Sequence, residues 1–150
     1  MKSAGIALGI GLLFLGSALA QTEKEKSGGE VKKESSYAEL AQAPEKTRNR
    51  RNPLERDAEA PAAGRKLFER HCAECHGEDA AGSPKAPSLR AATVQKAAPG
   101  ALFWVLTNGV VRRGMPVWSK LPEAQRWQLV SYVQSLGTAA ANAAPTSPPR

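Results

Sequence analysis

The stretch FERHCAECHG, residues 68–77, holds both cysteines and both histidines of this 150-residue chain. A cluster of this kind can form a disulfide, a zinc site, a dithiol redox pair or a covalent haem anchor. A disulfide between Cys72 and Cys75 would close a very small loop and would constrain the unfolded chain little. What these side chains hold therefore decides what the rest of the chain can fold around.

Two of the alternatives fit the surrounding sequence poorly. A structural zinc site takes four ligands, usually from two separated pairs, and this chain has one pair. A dithiol oxidoreductase carries its motif at a helix start after a strand, whereas Gly64, Phe68 and Cys72 recur at helical spacing. The remaining interpretation is Cys-x-x-Cys-His as a c-type haem attachment, in which His76 faces the iron. Because five residues alone give false positives, a second iron ligand is needed.

Met115 is the candidate for that second ligand. The chain has two methionines, Met1 and Met115, and removal of an N-terminal signal would leave Met115 alone. A lone methionine usually fills a core. Here Gly114 permits unusual backbone angles and Pro116 fixes the chain beyond it, which suits a methionine held at a set angle.

The chain divides into four predicted parts. Residues 1–20 contain a lysine, an apolar run and Ala-Leu-Ala, the order of a cleavable secretory signal, with an uncleaved membrane anchor as the alternative. Residues 21–51 are polar and mixed in charge and predict a disordered tether. Residues 137–150 are rich in alanine and proline and predict a disordered tail. Residues 52–136 remain as one small domain, whose size favours support from a cofactor.

Helical signals dominate that domain. Pro99 suits a first helical position and Gly109 a left-handed stop, so we predict a helix over 99–108. A second helix begins near Pro122 and carries apolar residues at helical spacing up to Leu136. We predict little or no strand, and hence an all-α fold with helices wrapped around a haem.

The charge distribution excludes a nucleic-acid binding surface, because no dense basic stripe appears among the 21 basic and 14 acidic residues. Arg112 and Arg113 flank the loop that carries Met115. They predict either a docking patch for an acidic redox partner or charges that are solvated or paired with haem propionates. Both interpretations stay open.

Residues 52–136 resemble the single-haem class I cytochromes c of bacteria. Gly64 and Phe68 match the small and aromatic positions of that family's first helix, and Leu129 and Tyr132 match those of its last helix. The segments Ala86-Pro87-Ser88-Leu89 and Gly114-Met115-Pro116 resemble the family's proximal and distal loops. The stretch PGALFWVLTNGVVRRGMPVW is similar to haem domains that take electrons from alcohol and sugar dehydrogenases.

The resemblance implies the small cytochrome c fold with one covalent haem c. Its implied site residues are the thioether-forming Cys72 and Cys75, the axial ligands His76 and Met115, and Pro87 as acceptor of a hydrogen bond from the proximal histidine. Trp118 is predicted to touch the haem because it follows Met115 by three residues. The resemblance implies a periplasmic one-electron carrier, not an enzyme, whose partners are a dehydrogenase, an oxidase or another cytochrome. The alternative is a haem enzyme or gas sensor with an open sixth iron position.

Overall fold

Helices and loops form the part of the chain that the structure, a computed structural model, describes, residues 37–143. The elements are α1 (Ala38–Ala41), α2 (Glu45–Arg48), α3 (Ala60–His71), α4 (Ala73–His76), α5 (Ala92–Gln95), α6 (Pro99–Asn108), a 3-10 turn (Val111–Arg113) and α7 (Glu123–Ala143). Within this range there is no strand, only one isolated β-bridge. The predicted all-α fold class is confirmed.

The crossing of α3 and α7 forms the centre of the fold. A Cβ atom on Gly64 would collide with the carbonyl oxygen of Gln128 and lie 2.9 Å from Cβ of Tyr132, so the glycine lets the helix backbones touch. Next to this contact the rings of Phe68 and Tyr132 lie 5.1 Å apart. Phe68 and Leu129 are fully buried there. The crossing places the end of α3, and so the first cysteine, against α7.

Gly64→Ala is expected to destabilise the protein by about 1–3 kcal/mol, because the added methyl group must force the two helices apart. Denaturant unfolding of the haem-loaded protein, followed by circular dichroism, measures the effect. Lys66→Ala, at an exposed position on the same helix, serves as the control and should change the free energy of unfolding by less than about 0.5 kcal/mol. Equal unfolding midpoints for the two variants would refute the close crossing.

A second core lies between α6, α7 and the N-terminal part of the chain. Trp127 is buried and stacks on Phe103 with ring centroids 4.2 Å apart. The guanidinium groups of Arg50 and Arg126 lie 4.8 Å and 4.7 Å from the Phe103 ring, within cation–π distance. This tryptophan therefore belongs to the packing between helices.

The structure corrects the predicted start of the domain at residue 52. Residues 37–51 were assigned to a disordered tether, but they contain α1 and α2, and Tyr37 and Ala43 are buried. The packing partner is α6, where a Cβ atom on Gly100 would lie 2.7 Å from the carbonyl oxygen of Arg48. The segment has few apolar side chains of its own, and it is ordered because α6 supplies a surface that it can approach closely.

The predicted end of the domain at residue 136 is also corrected, since α7 continues to Ala143. Its last turns are rich in alanine, the residue with the highest helix propensity. The predicted signal peptide, residues 21–36 of the tether and residues 144–150 of the tail lie outside the described residues. Among residues 37–143, no helix combines the length and the apolar character needed to cross a bilayer.

Candidate functional site

A cavity of about 740 Å³ lies between the cysteine-containing turn and the Met115 loop, residues 109–118. This volume is within the range of about 300–1,000 Å³ that is typical of cofactor pockets. Much of its wall is apolar, with contributions from Leu40, Phe68, Val94, Leu102, Leu106 and Leu129. Cys72, Cys75, His76, Pro87, Met115 and Trp118 all line the same cavity.

The cysteine turn is made by a break between two helices. At Cys72 the chain leaves the helical conformation (φ −124°, ψ −32°), and α4 then begins at Ala73. The backbone N–H of His76 donates to the carbonyl oxygen of Cys72 at 2.9 Å, which holds the histidine one helical turn after the first cysteine. The α4 turn ends at Gly77, whose φ of 80° suits glycine.

The environment of Cys72 argues against a dithiol redox pair. Burial of its thiol, with a smaller contribution from Cys75, raises the pKa of Cys72 to about 11. A reactive cysteine needs a lowered pKa, because the thiolate is the nucleophile. The zinc alternative also lacks support, since residues 37–143 contain no group of three or more His, Cys, Asp or Glu side chains able to hold a metal.

The imidazole of His76 is oriented by the proximal loop, residues 83–89. Its Nδ1 lies 2.9 Å from the carbonyl oxygen of Pro87. A carbonyl can only accept, so Nδ1 carries the proton and Nε2 is the unprotonated nitrogen. Burial lowers the pKa of His76, and the bond to Pro87 partly opposes this shift. The neutral ring is the form that binds a metal.

Gly82 brings the proximal loop close to His76, a role that sequence analysis missed. Its N–H donates to the carbonyl oxygen of His76 at 2.8 Å, and its φ is 91°. A Cβ atom at this position would lie 2.6 Å from the backbone nitrogen of Ser88. The only sequence signal was a glycine between the cysteine motif and Pro87.

The Met115 loop is closed by a two-hydrogen-bond bridge. The N–H of Val110 donates to the Met115 carbonyl oxygen at 3.0 Å, and the N–H of Met115 donates to the Val110 carbonyl oxygen at 3.2 Å. The 3-10 turn lies between them, and Gly114 adopts a left-handed φ of 87°. At the base of the loop, a Cβ atom on Gly109 would lie 2.6 Å from the carbonyl oxygen of Pro116. The two glycines thus permit the tight turn that brings Met115 to the cavity.

Trp118 connects the Met115 loop to the cysteine side of the cavity. Its backbone N–H donates to the carbonyl oxygen of Leu106 at 3.1 Å, and the centroid of its indole lies 5.3 Å from the ring centroid of His71. Of the three tryptophans, Trp118 alone lines the cavity. His71 precedes Cys72 and packs on Trp118, an aromatic contact that the sequence did not indicate.

These donors fit a c-type haem. Two half-buried thiols, a neutral imidazole with its Nε2 unprotonated and a thioether line one largely apolar cavity. Thiols can form thioethers, and imidazole and thioether are the ligand pair of low-spin cytochromes. In residues 37–143, no buried side-chain nitrogen or oxygen is left without a hydrogen-bond partner.

Comparison with known proteins gives one family match. Residues 59–133, half of the chain, match the family model described as cytochrome C oxidase, cbb3-type, subunit III. The match includes the cysteine turn, the proximal loop and the Met115 loop, and it begins after residues 37–58. Cys72, Cys75 and His76 fit the Cys-x-x-Cys-His motif of this c-type haem-binding domain. A search of the curated proteins finds no match.

Proposed function

Since the chain belongs to the cytochrome C oxidase, cbb3-type, subunit III family of c-type haem-binding domains, we propose that it is a periplasmic one-electron carrier. The resemblance to class I monohaem cytochromes c is confirmed, and the cofactor is a c-type haem. Domains of this family are generally electron carriers, and c-type cytochromes are extracytoplasmic. The observation that carries the proposal is the convergence of Cys72, Cys75, His76 and Met115 on one cavity.

Each of these residues has a distinct role in the proposal. Cys72 and Cys75 would hold the porphyrin through thioethers, and His76 would hold the iron through Nε2. The Pro87 carbonyl fixes the orientation of the imidazole and raises its basicity. Met115, which lines the same cavity, would hold the iron through its thioether. When bound, the haem supplies one iron that changes between two oxidation states.

An electron carrier would require that the iron keep both of its protein ligands. With His76 and Met115 bound, oxygen or peroxide could reach the iron only by displacing one of them, and the thioether raises the reduction potential. A peroxide-cleaving enzyme would also need a polar acid–base group at an open site. The remaining histidine, His71, packs on Trp118, and the cavity-lining carboxylates of Glu39 and Glu74 are paired with Arg113 and Lys85. The side chains at the cavity therefore favour transfer over the haem-enzyme or gas-sensor alternative.

We propose redox proteins as partners: a dehydrogenase, an oxidase or another cytochrome. Two exposed apolar side chains of the Met115 loop support docking at this side of the cavity, since Val111 and Val117 are 68% and 47% exposed. Arg112 is exposed beside them and would favour an acidic partner surface.

Redox titration of the purified haem protein, followed by its visible spectrum, tests this function. We expect a reversible one-electron curve with one haem per chain and no turnover of peroxide. Catalytic peroxide consumption, or an iron that stays high-spin in both oxidation states, would favour the haem-enzyme or sensor alternative.

Pro87→Ala should raise the reduction potential slightly. The substitution keeps the carbonyl but loosens the proximal loop, and a weaker bond to His76 makes the imidazole a poorer donor to the oxidised iron. Since a net hydrogen bond contributes about 1 kcal/mol, the rise should not exceed about 40 mV. Pro84→Ala, in the same loop but without a bond to His76, is the control for loop flexibility. Equal shifts in the two variants would show that the Pro87 carbonyl has no special part.

A further inference from the structure

One wall of the cavity comes from residues that lie outside the family match. We call residues 37–50 the N-terminal strap. Tyr37, Glu39 and Leu40 of this strap line the cavity together with the cysteine turn and the Met115 loop. The family match begins only at residue 59, so this wall is an addition to the matched domain.

The strap is attached firmly at its C-terminal end. Arg48 donates to the carbonyl oxygens of Ala41 and Ala43, each at 2.9 Å, and so joins α2 to the end of α1. Arg50 forms an ion pair with Glu123 of α7 at 2.5 Å. With the close approach at Gly100, these contacts hold α1 in a defined position beside the cavity.

From this position the strap contacts both the proximal loop and the Met115 loop. The hydroxyl of Tyr37 donates to the carbonyl oxygen of Ser88, next to Pro87 in the proximal loop, at 3.0 Å. The carboxylate of Glu39 pairs with Nε of Arg113 in the Met115 loop at 3.3 Å. The strap thus bridges the two sides of the cavity.

The ion pair with Arg113 links the strap to the Met115 loop two residues before Met115. The bridge between Val110 and Met115 closes the base of the loop. At Gly114, next to Met115, an added Cβ atom would meet nothing within 4 Å. The Glu39 side chain is only 20% exposed, so its pairing with Arg113 is screened less than a pair at the open surface.

We propose that Glu39 is a positioning residue, which holds the Met115 loop over the cavity through Arg113 and so favours the Met115–iron bond. This inference rests on the proposed role of Met115 as iron ligand. An external ligand binds the iron only in the fraction of molecules in which Met115 has left. Weakening the ion pair enlarges that fraction. The usual strength of such pairs corresponds to a change of about two- to fivefold.

The test is titration of the oxidised protein with imidazole, at a mildly alkaline pH where imidazole is uncharged and the lost carboxylate does not attract or repel it. Glu39→Gln should raise the apparent imidazole affinity about two- to fivefold. Arg113→Gln should do the same, and the double variant should show no further rise. Glu69→Gln, which breaks the exposed pair with Arg65 at 2.8 Å on α3, should leave the affinity unchanged.

Glu39→Gln in the Met115→Ala background tests whether its effect on imidazole affinity depends on Met115. Without Met115 the sixth position is already open, so Glu39→Gln should then change imidazole affinity by less than the scatter of repeat titrations. The inference is overturned if Glu39→Gln leaves the imidazole affinity of the Met115-containing protein unchanged, or raises it equally in both backgrounds. It is also overturned if the effects of Glu39→Gln and Arg113→Gln add, or if Glu69→Gln raises the affinity as much as Glu39→Gln does. The proposed function fails separately, if the wild type and Met115→Ala bind imidazole equally well.

Discussion

Met115→Ala should leave the haem attached and raise the affinity of the reduced protein for carbon monoxide by about 10- to 1,000-fold. With Met115 as the proposed iron ligand, an external ligand would have to compete with its thioether in the wild type, and minor conformers of proteins are typically populated at about 0.1–10%. Removal of the thioether makes every molecule competent to bind. The reduction potential should fall, by on the order of 0.1 V, because axial ligands set haem potentials over about 0.8 V.

Carbon monoxide titration of the reduced proteins, monitored by absorbance, measures the first effect, and potentiometry measures the second. Val117→Ala is the matched control, since it shortens an exposed side chain two residues along the same loop. It should keep the wild-type affinity and potential. If Met115→Ala also keeps them, another residue holds the sixth position; Lys120 is the nearest lysine in sequence.

Cys72→Ala combined with Cys75→Ala should abolish covalent haem attachment completely and, with it, most of the fold. The cavity of about 740 Å³ would lose the group that fills it, in a domain small enough that its own apolar cores stabilise it only marginally. The expected loss is comparable with the whole free energy of unfolding of a small protein, about 5–15 kcal/mol. A haem stain after denaturing electrophoresis reports attachment, and far-ultraviolet circular dichroism reports the helices.

The thiols themselves also pack in the structure, so their loss must be separated from the loss of haem. Wild-type chain produced without haem attachment keeps both thiols and serves as the control. We expect it to lack stable helices, like the double variant. A folded, haem-free double variant would contradict the interpretation that the haem completes the core.

The elements that the sequence predicted best are those whose start and end are determined by residues within the element itself or next to it. Pro99 and Gly109 bound α6 as expected, because a proline at the first position and a glycine with φ of 66° after the last act within their own turn. The proximal hydrogen bond required the resemblance as well, because Pro87 and His76 are eleven residues apart. The two rings of His71 and Trp118 meet across 47 residues, and no local pattern reports such a contact.

The N-terminal strap shows where composition misleads. Its residues are polar, and a segment of that kind is usually disordered when judged by its own apolar content. Here the stabilising partners lie far away in sequence. Tyr37 bonds to Ser88, 51 residues on, and Arg50 pairs with Glu123, 73 residues on. Gly100 lets α2 approach α6 because it has no side chain, and this close approach is visible only in the packed structure.

The absorption spectrum of the oxidised wild-type protein, beside that of Met115→Ala, tests the central claim most directly. With His76 and Met115 as ligands, the spectrum should be that of six-coordinate, low-spin iron. It should show a methionine-to-iron charge-transfer band that disappears in Met115→Ala. A high-spin spectrum without that band in the wild type would contradict the account, because an iron with an open sixth position is suited to ligand binding or catalysis rather than to electron transfer.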